Sequence, residues 1–128
     1  MFDRKITLIS NSRETLDRVH KYLERTGARL STAARLEDAL MAAATANAIL
    51  FFADDYPRQD ALAALASLRR TLPATLLIVV TDAVEMFTPS VRGDRTASHV
   101  IVLQRPAWAW MLVDALRAGS VNEGPRES

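Results

Sequence analysis

Two runs of consecutive apolar residues constrain this chain more than any other feature. Asn47–Ala53 carries the run AILFFA, and Leu76–Val80 reads LLIVV. Neither alternates with polar residues, and unbroken apolar runs of this length mark strands covered on both faces. Both end abruptly in polar residues: Asp54-Asp55 after the first run and Thr81-Asp82 after the second. A chain that buries two strands this completely needs helices on either side of a sheet. The adjacent carboxylates at one strand exit then pose a question of function.

The remaining segments supply the helices. Ile6–Ile9 is a short apolar run that reads as a strand. Ser12 is placed to cap a helix starting near Arg13, along which Leu16, Val19 and Leu23 recur at helical spacing. Gly27 fits the C′ position that ends it. Ala28–Ala33 reads as a weaker strand, with Leu30 its one large apolar residue, and Leu36, Ala39, Leu40 and Ala43 form a second helical stripe. After an Asp54–Gln59 loop, Leu62, Leu65 and Leu68 mark a third helix, limited by Pro73. In Ala83–Ser98, Val84, Met86 and Phe87 open a helical pattern that Pro89 and Gly93 disturb. His99–Leu103 is the last strand. Pro106 then suits the first turn of a helix with Trp108, Met111, Leu112, Ala115 and Leu116 on one face, closed by Gly119. The expected organisation is one domain over residues 1–119 and a polar tail over 120–128.

Strands alternating five times with helices imply an α/β, three-layer domain with a parallel sheet and right-handed crossovers. At 128 residues, 49% of them hydrophobic, the chain is long enough to bury a real core. Sixteen basic residues against fifteen acidic leave a formal charge of +1, which makes no electrostatic case for nucleic acid or an anionic membrane. There is no cysteine, hence no disulfide, thiol chemistry or cysteine-bound zinc. No segment has the apolar length of a membrane span, and the expectation is a soluble, cytoplasmic protein. The four glycines, Gly27, Gly93, Gly119 and Gly124, form no phosphate-binding loop. His20 and His99 stand without partner ligands nearby in sequence. No nucleophile–base pair emerges, so neither an enzyme nor a bound cofactor is expected.

In open parallel sheets, sites form beyond the carboxyl ends of the strands. That rule selects Ser10-Asn11, Asp54-Asp55, Thr81-Asp82 and Gln104-Arg105. In this order, with Pro106 after Arg105, the set resembles the receiver domain of bacterial response regulators over about Lys5–Gly119. The resemblance implies a flavodoxin-like sheet of order 2-1-3-4-5. It also implies a role in two-component signal transduction, with Asp54 as the phospho-acceptor candidate and Ser10, Asn11, Asp55, Thr81, Arg105 and Pro106 around it. Family receivers place two acids after the first strand to hold Mg²⁺, and a lysine before the proline. Phosphoryl transfer to a carboxylate needs that positive charge on the transferred oxygens, and Mg²⁺ wants oxygen ligands.

This chain departs from the pattern there. The acidic pair is replaced by neutral Ser10 and Asn11, and the lysine by Arg105, whose planar fork is not interchangeable with an ammonium. Val102 stands where many receivers carry an aromatic switch residue, and the Asp54–Pro57 loop is about one residue shorter than usual. The expectation is a degenerate receiver, or pseudo-receiver, with Arg105 paired to Asp54. It would act as a protein-interaction module, binding other signalling proteins or a second copy of itself. Trp110, Val113 and Arg117 are the candidate interface residues on the outer side of the last helix. The alternative is a working receiver phosphorylated on Asp54 with weak help from Mg²⁺.

Overall fold

The computed structural model describes residues 5–87, 100–105 and 110–116. Five parallel strands form one sheet of order β2-β1-β3-β4-β5. They are β1 (Lys5–Ile9), β2 (Arg29–Ala33), β3 (Ala48–Phe52), β4 (Leu76–Thr81) and β5 (Val100–Gln104). Between them lie α1 (Arg13–Glu24), a 3-10 turn (Leu36–Asp38) leading into α2 (Ala39–Ala43), a second 3-10 turn (Ala53–Asp55), and α3 (Arg58–Thr71). Residues 84–87 and 110–116 are also helical. This is the three-layer α/β architecture that the apolar runs imply.

The two apolar runs occupy the central strands, and their side chains divide by the two-residue period of a strand. Leu50, Ile78 and Val80 face one side, packing with Val19 and Leu23 of α1 and with Leu112 and Leu116. Ile49, Phe51, Leu77 and Val79 face the other, against Ala39 and Ala43 of α2, Leu65 and Leu68 of α3, and Phe87. Leu50 and Ile78 are wholly buried, and each such side chain contributes roughly 1.5–3 kcal/mol of transfer free energy. Thr7 is the buried polar residue of β1. Its hydroxyl is paired with Ser31 Oγ at 2.9 Å and donates to the Ala42 carbonyl at 3.2 Å, which keeps a buried polar group satisfied.

Helix ends follow their local chemistry. Ser12 caps α1 by accepting from the Thr15 amide at 3.3 Å. Gly27, expected at C′, lies one position further on: the C-cap is Arg25, and Gly27 follows with φ 89°, the one positive φ among the described residues. A glycine takes that backbone without a Cβ penalty. The expected Asp54–Gln59 loop is shorter than read, because the chain makes a 3-10 turn and then starts α3 already at Arg58. Pro57 sets this start, since its fixed φ suits a helix entrance. The second helical stripe is split, Leu36 falling in the 3-10 turn and only Ala39–Ala43 in α2.

The outer side of the last helical stretch needs a correction. Trp110 is 59% exposed, but Val113 is only 9% exposed and packs with the α1 side of the core. Three residues advance a helix by about 300°, which leaves Val113 roughly 60° from Trp110. Here that step carries Val113 onto the inner face shared by Leu112 and Leu116, so it is not an interface residue. Pro106, Trp108, Arg117, Gly119 and the 120–128 tail lie outside the described residues, as do His99, Pro89 and Gly93. No helix among the described residues is long and apolar enough to cross a membrane.

Candidate functional site

The carboxyl ends of β1, β3, β4 and β5 bring Ser10, Asn11, Asp54, Asp55, Thr81 and Arg105 to one edge of the sheet. The centre of the group is the turn Ala53–Asp55, which follows the innermost strand. Its position follows from register. Phe52 is level with Val80, the last ladder pair between β3 and β4. One residue beyond, β4 ends at Thr81 while the chain after β3 enters the turn at Ala53, with Asp54 next on that turn. On the other side the last ladder pair is Ile9–Phe51, and Ser10 and Asn11 follow directly from β1. Ala53 is 2% exposed and belongs to the core.

Asp54 turns its carboxylate toward β4 and β5. Thr81 Oγ1 donates to its Oδ1 at 2.6 Å, and the Asp82 amide donates to its Oδ2 at 2.6 Å. Arg105 Nη1 also approaches Oδ2, at 3.4 Å, with the Asp54 side chain 23% and the Arg105 side chain 48% exposed. Burial works to raise the Asp54 pKa. The Thr81 hydroxyl, the Asp82 amide and the Arg105 charge outweigh it and hold the carboxyl below its ordinary value. At this separation and exposure the Arg105 contact is the weakest of the three. Thr81 itself is fully buried, and its oxygen accepts from the Ala83 amide at 2.9 Å. Both roles of that hydroxyl are therefore taken.

Asp55 turns the opposite way. Its Oδ2 accepts from the hydroxyl of Ser10, which is fully buried, and its backbone carbonyl accepts from Asn11 Nδ2 at 2.6 Å. Ser10 Oγ also accepts from the Ser12 amide at 3.0 Å, which links Asp55 to the capped start of α1. The neutral residues at the β1 exit thus act as donors and acceptors of ordinary hydrogen bonds. The two neighbouring aspartates are sorted to different sides of the turn.

One residue was not singled out from the sequence. Tyr56 closes the turn by donating from its hydroxyl to the Ala34 carbonyl at 2.7 Å, while its ring meets that of Phe51 at 6.1 Å between centroids. Burial and the neighbouring Asp55 charge push its phenol up to about 12. The available signal was its place between the acidic pair and Pro57. A shallow, open depression borders the site, lined by Asp54, Tyr56, Arg58, Asp82, Phe87 and Arg105. Val102 packs on the α3 side of the core from β5. His20 is partly exposed on α1, 3.9 Å from Glu24, and among the described residues no group of three or more His, Cys, Asp or Glu could hold a metal ion.

The fold matches solved structures. A response regulator receiver domain protein (CheY-like) from Methanospirillum hungatei superposes with a TM-score of 0.79 at 18% identity, covering 99% of this chain and 100% of that one. This chain has the receiver fold. A receiver domain protein from Clostridium thermocellum gives a TM-score of 0.76 at 17% identity, over 93% of this chain and 95% of that one. A sensor protein from Polaromonas gives 0.74 at 18% identity, over 92% and 96%. No family model and no curated protein matches the sequence. At these identities the likeness concerns the fold, and function has to be argued from the site itself.

Proposed function

We propose that this domain is a degenerate receiver that works in signal transduction as a non-enzymatic protein-interaction module. The observation that carries the reading is the state of Asp54. Both oxygens of its carboxylate already accept hydrogen bonds, from Thr81 and from the Asp82 amide, with Arg105 alongside. A carboxylate that must attack a phosphoryl group has to give up such contacts and meet a cation that neutralises the incoming oxygens.

The residues do not fit Mg²⁺ well. A hard divalent ion prefers several charged oxygens. Here the β1 exit offers a serine hydroxyl that donates to Asp55 and an asparagine whose amide nitrogen faces the Asp55 carbonyl. Trp110, 59% exposed on the last helical stretch, is the proposed contact for another signalling protein or a second copy of the chain.

A working receiver phosphorylated on Asp54 is the second reading. The reach of Thr81 to Asp54 favours it, because the same hydroxyl could serve a phosphoryl oxygen there. Intact-mass measurement after incubation with acetyl phosphate and Mg²⁺ separates the two. Little or no added phosphoryl mass is expected. Stoichiometric labelling that disappears in Asp54→Asn would establish the second reading.

A further inference from the structure

We infer that Asp54-Asp55 is a two-way latch, closed by the chain's own donors, that fastens every other strand exit to the β3 turn without a cation. The inference deepens the reading above and takes from it the premise that neither metal nor phosphoryl group occupies the site.

Successive residues on a 3-10 turn point about 120° apart, so adjacent side chains leave such a turn in different directions. Asp54 leaves toward β4 and β5, and Asp55 toward β1. The two carboxylates take different donors. Asp54 takes Thr81, the Asp82 amide and Arg105, whereas Asp55 takes Ser10 on its carboxylate and Asn11 on its carbonyl. The grip extends to β2 on the same side. The Ser10 amide donates to the Ala33 carbonyl at 3.1 Å, and Tyr56 donates to that of Ala34. On the other side the Arg105 amide donates to the Thr81 carbonyl at 3.2 Å, tying β5 to β4. The turn after the central strand thus holds the exits of β1 and β2 through Asp55 and Tyr56, and those of β4 and β5 through Asp54.

Two like charges side by side would repel; the turn sends them to opposite sides, where Asp54 meets Thr81, the Asp82 amide and Arg105, and Asp55 meets the Ser10 hydroxyl. This gives a physical reason for the paired acids at the end of a buried strand. It also predicts that the latch has two halves that fail separately, because contacts in one network couple energetically and separate networks add.

Double-mutant cycles in thermal melts test this. Within the left half, Ser10→Ala combined with Asp55→Ala should lower the melting temperature by clearly less than the two single changes added together. Within the right half, Thr81→Val combined with Asp54→Ala should behave in the same way. Ser10→Ala combined with Thr81→Val should add. Millimolar Mg²⁺ should leave the melting temperature of the unmutated chain unchanged. Additive losses within either half, strong coupling across the halves, or a clear rise with Mg²⁺ would each overturn the latch. Should Asp55→Ala fail to fold, Asn11→Ala replaces it in the cycle with Ser10→Ala, and additivity there counts against the latch equally. Phosphoryl labelling of Asp54 by acetyl phosphate is read separately by mass. Labelling with the couplings as expected overturns the functional reading and not the latch, whereas absent labelling with additive couplings overturns the latch alone.

Discussion

Thr81 and Asp54 are joined hydroxyl to carboxylate at 2.6 Å, across the exits of the two most buried strands. The hydroxyl also accepts from the Ala83 amide, so the start of the segment after β4 depends on the same atom. A side chain at 0% exposure that serves an anion and a backbone amide together is expensive to truncate.

Thr81→Val keeps the shape of the residue and removes both hydrogen bonds. It should destabilise the domain by about 2 kcal/mol in denaturant unfolding, because it leaves a charged acceptor and an amide without this partner. Thr81→Ser retains the hydroxyl and should lose much less. A valine variant as stable as the unmutated chain would contradict the role given to this bond.

Acid should weaken the domain through Asp54. Its folded pKa is lowered from the ordinary 3.8, so the unfolded chain takes up this proton first as pH falls. The contribution is therefore present above about pH 4 and is lost as pH falls through the depressed folded value. Asp54→Asn removes that part of the acid dependence. Chemical unfolding from pH 6 down to pH 2 should show a shallower loss of stability for the variant. Parallel curves would mean that Asp54 carries no linkage.

Much of the architecture was legible because the physics is local and repetitive. The unbroken runs in β3 and β4 announce strands covered on both faces, and Val19, Leu23, Leu65 and Leu68 show their helical spacing directly. The exit rule for parallel sheets then gathers Ser10, Asp54, Thr81 and Arg105 without any coordinate. What the sequence could not show is direction. Nothing in the order Asp54-Asp55 says that one carboxylate turns to β4 and the other to β1, since that depends on a 3-10 turn formed between a strand and an early helix start. The Val113 error has the same character. Spacing alone made it a neighbour of Trp110, while the position of the helix against the sheet decided which side of that pair is covered.

Tyr56 gives an alkaline counterpart to Asp54. Its phenol ordinarily titrates at 10.0 and is pushed up to about 12 in the folded chain. The stability it contributes is fully present below pH 10 and is lost as pH rises through this interval, because the unfolded chain ionises first. Tyr56→Phe should remove this alkaline loss. At neutral pH it should also lose a modest amount of stability, about 1 kcal/mol, with the hydrogen bond to Ala34. Ultraviolet titration of the phenolate, with Tyr22 replaced by Phe to isolate the signal, would show whether the tyrosine titrates late.

The last helical stretch allows a clean separation of packing from contact. Leu112 is 1% exposed and lies in the core with Val19 and Leu23, whereas Trp110 is 59% exposed two positions away. Two residues along a helix are about 200° apart, so the two side chains serve opposite faces. Leu112→Ala should cost about 2–5 kcal/mol through the cavity it leaves. Trp110→Ala should change stability by no more than about 0.5 kcal/mol, as expected of an exposed site. If Trp110 anchors self-association, its loss should weaken the dimer by about 2 kcal/mol, close to thirtyfold in the dissociation constant. Sedimentation across a concentration series reads that change while thermal melts read stability. A Trp110→Ala variant that melts far below the unmutated chain would show that this tryptophan supports the fold. One that melts normally and sediments identically would remove self-assembly as its purpose.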